Sequence, residues 1–460
     1  MIDLILIAFI GYVLMLGIRR PYLWVLLYIY IDILAPQRIG YGVITSLSVS
    51  LIAFAAAFGG WLALDNKKGA RFTMRQGLIL ALMLYCWWTT GNADFPENAA
   101  TKWDWVWKAM LFAIFLPLTL TTRLRIEGAL LTMLLSMGVI IIGAGIKVVF
   151  GGGGYETKIL IVNDNSGIYE TSVLACMAIA VIPAILWFTR HGQIFPPDWR
   201  VKLFAYGFVF ACVLIPVGTE ARTGLVCFAV LLLLMFRHMK HKALFAGLGA
   251  IAMVAAIPFL PSSFTERMST ITTFQQDQSA STRVAVWAWT IDYASKNPWG
   301  GGFDAYRGNS FEYRMRVEER VGTTTSVSYE EVTDEARAYH SAIFEVLGEQ
   351  GYPGLVLWSL IQITGLWSMA RVRKRWKDRE GPDEQWQAPL ASALAQAQII
   401  YLVGALFTGI AYTPPMLLLL AFQIGLSSYL KQCEEPEEAA PVRSLARPSA
   451  PVTPQPSGAV

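Results

Sequence analysis

"TTRLRIEGALLTMLLSMGVIIIGAGIKVVF", residues Thr121–Phe150, decides the class of fold. Between Glu127 and Lys147 no side chain ionises. A helix of about 20 apolar residues spans the hydrocarbon of a bilayer. A surface helix of a soluble domain needs a polar face instead, and this stretch has none. Working outward, apolar stretches recur near 2–18, 22–36, 43–64, 77–91, 105–121, 127–149, 170–189, 203–218, 223–236, 243–261, 341–369, 388–411 and 414–430. The expectation is an all-α polytopic integral membrane protein with about 12–13 transmembrane helices and one large outward (periplasmic) loop. Several stretches are short for a perpendicular crossing. The first pair, and the pair meeting at Gly218–Thr223, read as tilted or partly re-entrant.

Composition agrees. The 460 residues are 55% hydrophobic and 15% charged, with sixteen tryptophans and a mean hydropathy of +0.46. A soluble domain carries about 25% charged residues. The formal net charge of +4 points to no nucleic-acid partner, because the cations sit in turns between spans. Cys86, Cys176, Cys212 and Cys227 lie inside apolar stretches and Cys433 lies after them. None has a CxxC partner, so neither a disulfide framework nor a zinc site is implied.

Charge also orders the turns. Six alternate turns ("RR", "DNKKGARFTMR", "TTRLR", "RHGQIFPPDWRVK", "RHMKHK" and "RVRKRWKDRE") hold twenty of the 37 Lys and Arg residues. The opposite short turns hold six: Arg38, Lys102, Lys108, Lys147, Lys158 and Arg222. The positive-inside rule puts the rich set in the cytoplasm. Loop 262–340 then faces outward. The chain divides into an N-terminal transmembrane region, 1–150, a transmembrane core, 151–430, that includes this loop, and a Pro-, Ala- and Ser-rich disordered cytoplasmic tail, 431–460.

Three outward segments are too polar or too long to be plain connections. In "GGGGYETKILIVNDNSGIYE", 151–170, Asp164 and Asn165 offer a carboxylate and an amide beside a span. The glycines lack the Lys of a nucleotide-binding loop. In "VGTEARTG", 217–224, Arg222 stands at interface depth against the positive-inside bias. It reads either as an arginine snorkelling to lipid phosphates or as a fixed cation for an anionic substrate, and the cost of placing it there favours the second. Loop 262–340 exceeds the length usual for a simple connection. Its first half carries Arg283 and an apolar face of Val284, Trp287, Ala288 and Ile291, which suits a helix in the headgroup layer. Its second half, "VEERVGTTTSVSYEEVTDEAR", reads as a hairpin or a lid. His340 follows, at the junction with the next span. With a helix beginning near His340, Ile343, Phe344 and Leu347 share its face while Glu345 and Glu349 project away. Arg222, Arg283, Arg337 and His340 all reach the outward side, where arginines bind a diphosphate and an imidazole manages a proton near neutrality. The chain has no Walker motif, HExxH, paired metal-ligand spacing or D-x-D, so neither metal nor cofactor is expected.

These segments resemble the O-antigen ligase and polymerase superfamily of membrane glycosyltransferases, and within it the O-glycosylation ligases of exosortase-bearing bacteria. "RRPYLWVLLYIYIDILAPQRIGYG" resembles their N-terminal region. Asp164–Asn165–Ser166 resembles their D-N-N element, and "TEARTGL" stands at their Ser-Arg-Gly. "STRVAVWAW…NPWGGGF" resembles their R-x-x-x-W…P-x-x-G-x-G-F block, and "YHSAIFEVLGEQGYPGL" their H-S…E-x-G-x-x-G-L block. The resemblance implies transfer of a glycan from undecaprenyl diphosphate to a hydroxyl-bearing acceptor (protein, lipid or glycan) outside the cytoplasmic membrane, without metal or ATP. It makes His340, Arg222 and Arg283 the catalytic candidates. Arg337, Asp164, Asn165, Trp287 and Glu349 are the substrate-binding ones. Ala221 where relatives carry Ser, and Ser166 where the second Asn often falls, are departures at helper positions. A repeat-unit polymerase of the same superfamily remains the alternative. A transporter is disfavoured, because the polar investment lies in an outer loop and not on broken helices at the midplane.

Overall fold

The computed structural model describes residues 2–151, 167–237, 278–321, 324–381 and 383–434. The expected stretch 243–261 and the candidates Asp164 and Asn165 lie outside the described residues. The helices are α1 (Ile2–Arg19), α2 (Tyr22–Leu34), the single turns α3 (Pro36–Ile39) and α4 (Val43–Ser46), α5 (Val49–Leu64), α6 (Met74–Gly91), α7 (Pro96–Thr119) and α8 (Arg123–Gly151). After them come α9 (Thr171–His191), α10 (Trp199–Gly218), α11 (Arg222–Phe236), α12 (Gln278–Lys296), α13 (Ala342–Trp376), α14 (Gln387–Ala405) and α15 (Pro414–Glu434). Among the described residues seven helices are long and apolar enough to cross a membrane: α1, α8, α9, α10, α13, α14 and α15; α2, α5 and α11 are shorter apolar helices.

Local chemistry sets several of these ends. Thr73 caps α6 through a reciprocal pair with Gln76, which accepts from the Thr73 N–H at 2.8 Å and so satisfies two orphan donors. Asp198 caps α10 by accepting from the Arg200 N–H at 3.3 Å. α15 runs on to Glu434, because Arg375 (2.6 Å) and Arg379 (3.1 Å) hold that carboxylate.

α9 is the core helix, with every residue from Val173 to Ile185 buried. Around it α10, α11 and α14 pack closely. Gly404 of α14 admits the approach: a Cβ there would stand 2.1 Å from Cys176 Sγ and 3.3 Å from Cys227 Sγ. A buried amide chain links α13, α14 and α15: Gln398 donates to Gln362 (2.9 Å) and Gln423 donates to Gln398 (2.9 Å). Arg75 of α6 donates to Gln423 at 3.0 Å. In hydrocarbon such polar side chains must satisfy one another across helices. The outer surfaces are apolar: Leu203, Phe204, Tyr206 and Phe210 of α10, and Ile363 and Trp367 of α13, are exposed. A soluble protein rarely exposes patches of this extent.

The turns fall into two sets at opposite ends, as the alternation of charge predicts. At one end Arg125 pairs with Asp65 (2.6 Å), Arg123 donates to the His191 carbonyl (2.7 Å) and lies over Trp386, and Glu127 accepts from the Gln193 N–H (2.6 Å). The basic turns are therefore knitted together. At the other end the Asp94 N–H donates to the Gly301 carbonyl (2.9 Å) and the Ala411 N–H to Glu345 (3.1 Å). The Ser341 hydroxyl donates to the Ala405 carbonyl (3.5 Å). Here too the second half of the long loop forms an antiparallel hairpin, β1 (Ser310–Val321) with β2 (Thr324–Glu335), registered from Ser310 opposite Glu335 to Val321 opposite Thr324.

Candidate functional site

The site is built where two glycine-containing stretches interlock. α13 breaks at Gly351, with φ 62° and ψ −165°, a conformation open essentially to glycine alone. Into the break fits the loop after α12. Gly301 N–H donates to the Gly348 carbonyl (3.1 Å), Gly302 N–H to the Glu349 carbonyl (2.9 Å), and Tyr352 N–H returns to the Pro298 carbonyl (3.0 Å). Three backbone groups that a straight helix would bond internally are thus paired across the interlock. A Cβ on Gly351 would stand 2.2 Å from the Pro298 oxygen. Gly351→Ala therefore meets both torsional strain and a clash. A loss of at least about 2 kcal/mol is expected, read as a fall in melting temperature of the detergent-purified protein.

The interlock positions an ion cluster. Lys102 of α7 donates to Glu345 (2.8 Å) and Glu349 (2.7 Å), with Asp304 at 3.8 Å. Glu349 is 0% exposed, and the oxygen facing Lys102 also accepts the Asp304 N–H at 3.0 Å. One Glu349 oxygen thus anchors Lys102 and the Asp304 loop, while its Oε2 is buried with no hydrogen-bond partner among the described residues. The carboxylates at 345 and 349 are like charges one turn apart, which repel on a helix unless a cation stands between them. That spacing was the signal in the sequence that a partner such as Lys102 was required.

His340 sits above this cluster, not on the helix. α13 begins at Ala342 with Ser341 as its N-cap, and His340 has φ 46°. The shared face with Ile343 and Phe344 does not arise, because the left-handed residue turns the chain before the helix starts. Its neighbours hold the strain. Tyr339 is buried, its carbonyl accepts from the Trp287 indole (2.8 Å), and its ring packs on Gly348, where a Cβ would lie 2.3 Å from Tyr339 Oη. Trp287 also stacks on Phe344 with ring centres 5.0 Å apart. The structure thus gives Trp287 a clamping contact on the His340 segment. On the preceding side, Asn309 accepts from the Arg337 N–H (2.9 Å) and donates to its carbonyl (2.8 Å). Arg337 pairs with Asp334.

The expected apolar face of α12 is its outward side. Val286, Thr290 and Ala294 pack inward, while Val284 and Ile291 are exposed. Arg283 sits half-buried on this helix. Burial, then the nearby Arg283 and Arg337 charges, lower the His340 pKa below its ordinary value. Both causes disfavour the imidazolium, so the imidazole is neutral and able to accept a proton at neutral pH. Glu170, just before α9, lies within electrostatic reach of Arg283 and Glu345. It links the His340 side of the site to the Lys102 cluster, and sequence reasoning missed it.

Arg222 is the first residue of α11. It lies five residues before Cys227, roughly 7 Å along the helix at 1.5 Å per residue. Cys227 and Cys176 share the Gly404 layer, and the Ser341 hydroxyl bonds the Ala405 carbonyl. Arg222, Glu170 and His340 therefore rise from one layer towards the same end of the bundle.

Residues 206–359 match the O-antigen ligase family. That match runs from α10 into α13 and takes in Arg222, Arg283, Arg337, His340, Glu345 and Glu349. Residues 1–193 match a family of unknown function (DUF5935). None of the curated proteins compared with the chain matches it. The O-antigen ligase match and the first segment are joined through the site itself, since Lys102 belongs to one and its partners Glu345 and Glu349 to the other.

Removing the Arg337 charge gives a pH test of His340. In Arg337→Gln the protonated imidazole is less disfavoured, so the base form is lost at a higher pH. The acid limb of activity should move up towards about 6.5, the ordinary histidine value. Because Arg337 is exposed and paired with Asp334, the shift should be a fraction of a unit, read from a pH–rate profile.

Proposed function

We propose that the protein is a ligase-type membrane glycosyltransferase of the O-glycosylation kind, moving a glycan from undecaprenyl diphosphate to an acceptor hydroxyl on the periplasmic side. The observation that carries the reading is the meeting of a neutral, strained His340 with Arg283 at the end of the bundle opposite the basic turns. These residues lie within the segment that matches the O-antigen ligase family. The basic turns favour the cytoplasm, which supports a periplasmic side for the site.

In this reading the acceptor oxygen attacks the anomeric carbon and the bond from that carbon to the diphosphate oxygen breaks. His340 takes the hydroxyl proton. Arg283 and Arg222 hold the diphosphate and stabilise the charge it gains on leaving. Arg337, with Asp164 and Asn165, belongs to the substrate-binding rim. The leaving diphosphate needs no tuning of the arginines, which remain charged at any working pH.

The test is a deletion strain carrying the wild type or His340→Ala at equal expression, its surface glycan analysed by gel and by mass spectrometry of the reducing end. Full-length glycan held on undecaprenyl diphosphate in the variant supports a ligase. Accumulation of single repeat units instead makes the protein a polymerase. Wild-type glycan in the variant refutes the assignment of His340.

A further inference from the structure

An apolar cavity lies far from His340, at the basic end of the bundle. It has a volume of about 370 Å³. Leu131, Leu134 and Leu135 of α8 form one wall, Phe204 and Phe208 of α10 the other, and Phe188 of the core helix α9 the floor. Its length along α10, from Val201 to Phe208, is roughly 10 Å at 1.5 Å per residue. Towards the inner end Phe208 packs on Gly138, where a Cβ would stand 3.1 Å from the phenyl ring. The outer end carries Arg200, the one charged residue of the lining. Leu135 and Phe204 on the rim are exposed, so the groove opens sideways on the lipid-facing surface.

We propose that this groove binds one anionic phospholipid, with an acyl chain between α8 and α10 and the headgroup phosphate on Arg200. The shape and the charge carry the inference together. A groove walled by apolar side chains, with its one cation at the outer end, suits a hydrocarbon chain and excludes a sugar or a peptide backbone, whose polar groups would find no partners along it. Arg200 stands at the end of α10, at the level of the exposed Trp199 and Phe195, where headgroups lie. Its guanidinium lies over the Trp199 ring at 5.5 Å and makes no ion pair with a carboxylate among the described residues. The nearest acid in sequence, Asp198, is engaged by the Arg200 backbone N–H. Lys202, exposed two residues on, adds a second positive charge. Anionic lipids of the cytoplasmic leaflet are drawn to such cations. The site is independent of the glycosyl-transfer reading, since it lies at the other end of the bundle.

The experiment is native mass spectrometry of the full chain, delipidated in detergent and titrated separately with dioleoylphosphatidylglycerol and dioleoylphosphatidylcholine, which share their acyl chains. One phosphatidylglycerol per protein is expected, retained about fivefold over phosphatidylcholine, the gain one cation near a membrane surface provides. Arg200→Gln, an exposed change, should abolish the preference. Ala205→Phe should reduce retention of both lipids by filling the groove. Leu135→Trp on the exposed rim does the same without touching the core. Equal retention of the two lipids by the wild type, or an undiminished preference in Arg200→Gln, overturns the headgroup assignment. Wild-type retention in Leu135→Trp overturns the groove.

Discussion

His340→Asn is expected to lower transfer by about 10²–10⁴-fold, the range a general base contributes, while leaving the fold in place. Asparagine tolerates the left-handed backbone that His340 adopts at φ 46°, so the turn between Tyr339 and Ser341 survives and only the imidazole is lost. His340→Gly separates the two roles further. Glycine relieves a torsional cost of about 1–2 kcal/mol and introduces a flexibility cost of about 0.5–1 kcal/mol. Its melting temperature should therefore equal or exceed that of the wild type, although it is equally inactive. A histidine kept in a strained conformation at a net cost to stability is what a functional position predicts. Should His340→Gly be both stable and active, the imidazole has no part in the reaction.

Lys102→Met is expected to be the most destabilising single change. Glu349 is fully buried and Glu345 nearly so, and both carboxylates lean on the same ammonium. Removing one partner of a buried ion pair strands the other and costs about 3–5 kcal/mol. The change also frees the loop that carries Asp304 and, through Ala411, the turn between α14 and α15. Fluorescence-detected size-exclusion and thermal melting should show a large loss of folded protein. Adding Glu345→Gln and Glu349→Gln to the lysine variant removes the stranded charges, so the triple variant should recover much of the loss. A triple variant no more stable than Lys102→Met would mean that the lysine works through its cation–π contacts with Phe303 and Tyr412, not through the two carboxylates.

Most of the helical plan was legible in the sequence because apolar length and charged turns are local signals. The stretches near 127–149, 203–218 and 414–430 all reappear as single helices, and the alternation of basic turns matches the two knitted ends. What was not legible depends on residues distant in the chain. Lys102 read as one of six scattered cations, and nothing around it in the sequence shows that it faces carboxylates more than two hundred residues away. The left-handed turn at His340 was missed for a similar reason, since it is imposed by Tyr339 packing on Gly348 and by the Trp287 hydrogen bond, not by local propensity. The apolar face read on α12 is the outward one, with Val284 and Ile291 exposed, but the inward packing of Val286, Thr290 and Ala294 depends on tertiary contacts that no local pattern shows.

The proposed reaction breaks the bond between a glycan and its lipid diphosphate. The most direct measurement uses membranes from a deletion strain loaded with undecaprenyl-diphosphate-linked glycan, to which purified protein is added in EDTA without nucleotide. Free undecaprenyl diphosphate and glycosylated acceptor should then appear together and in equal amounts, and neither should appear with Arg283→Gln. Glycan that changes sides of the membrane while still joined to its lipid would contradict the account and make the protein a transporter.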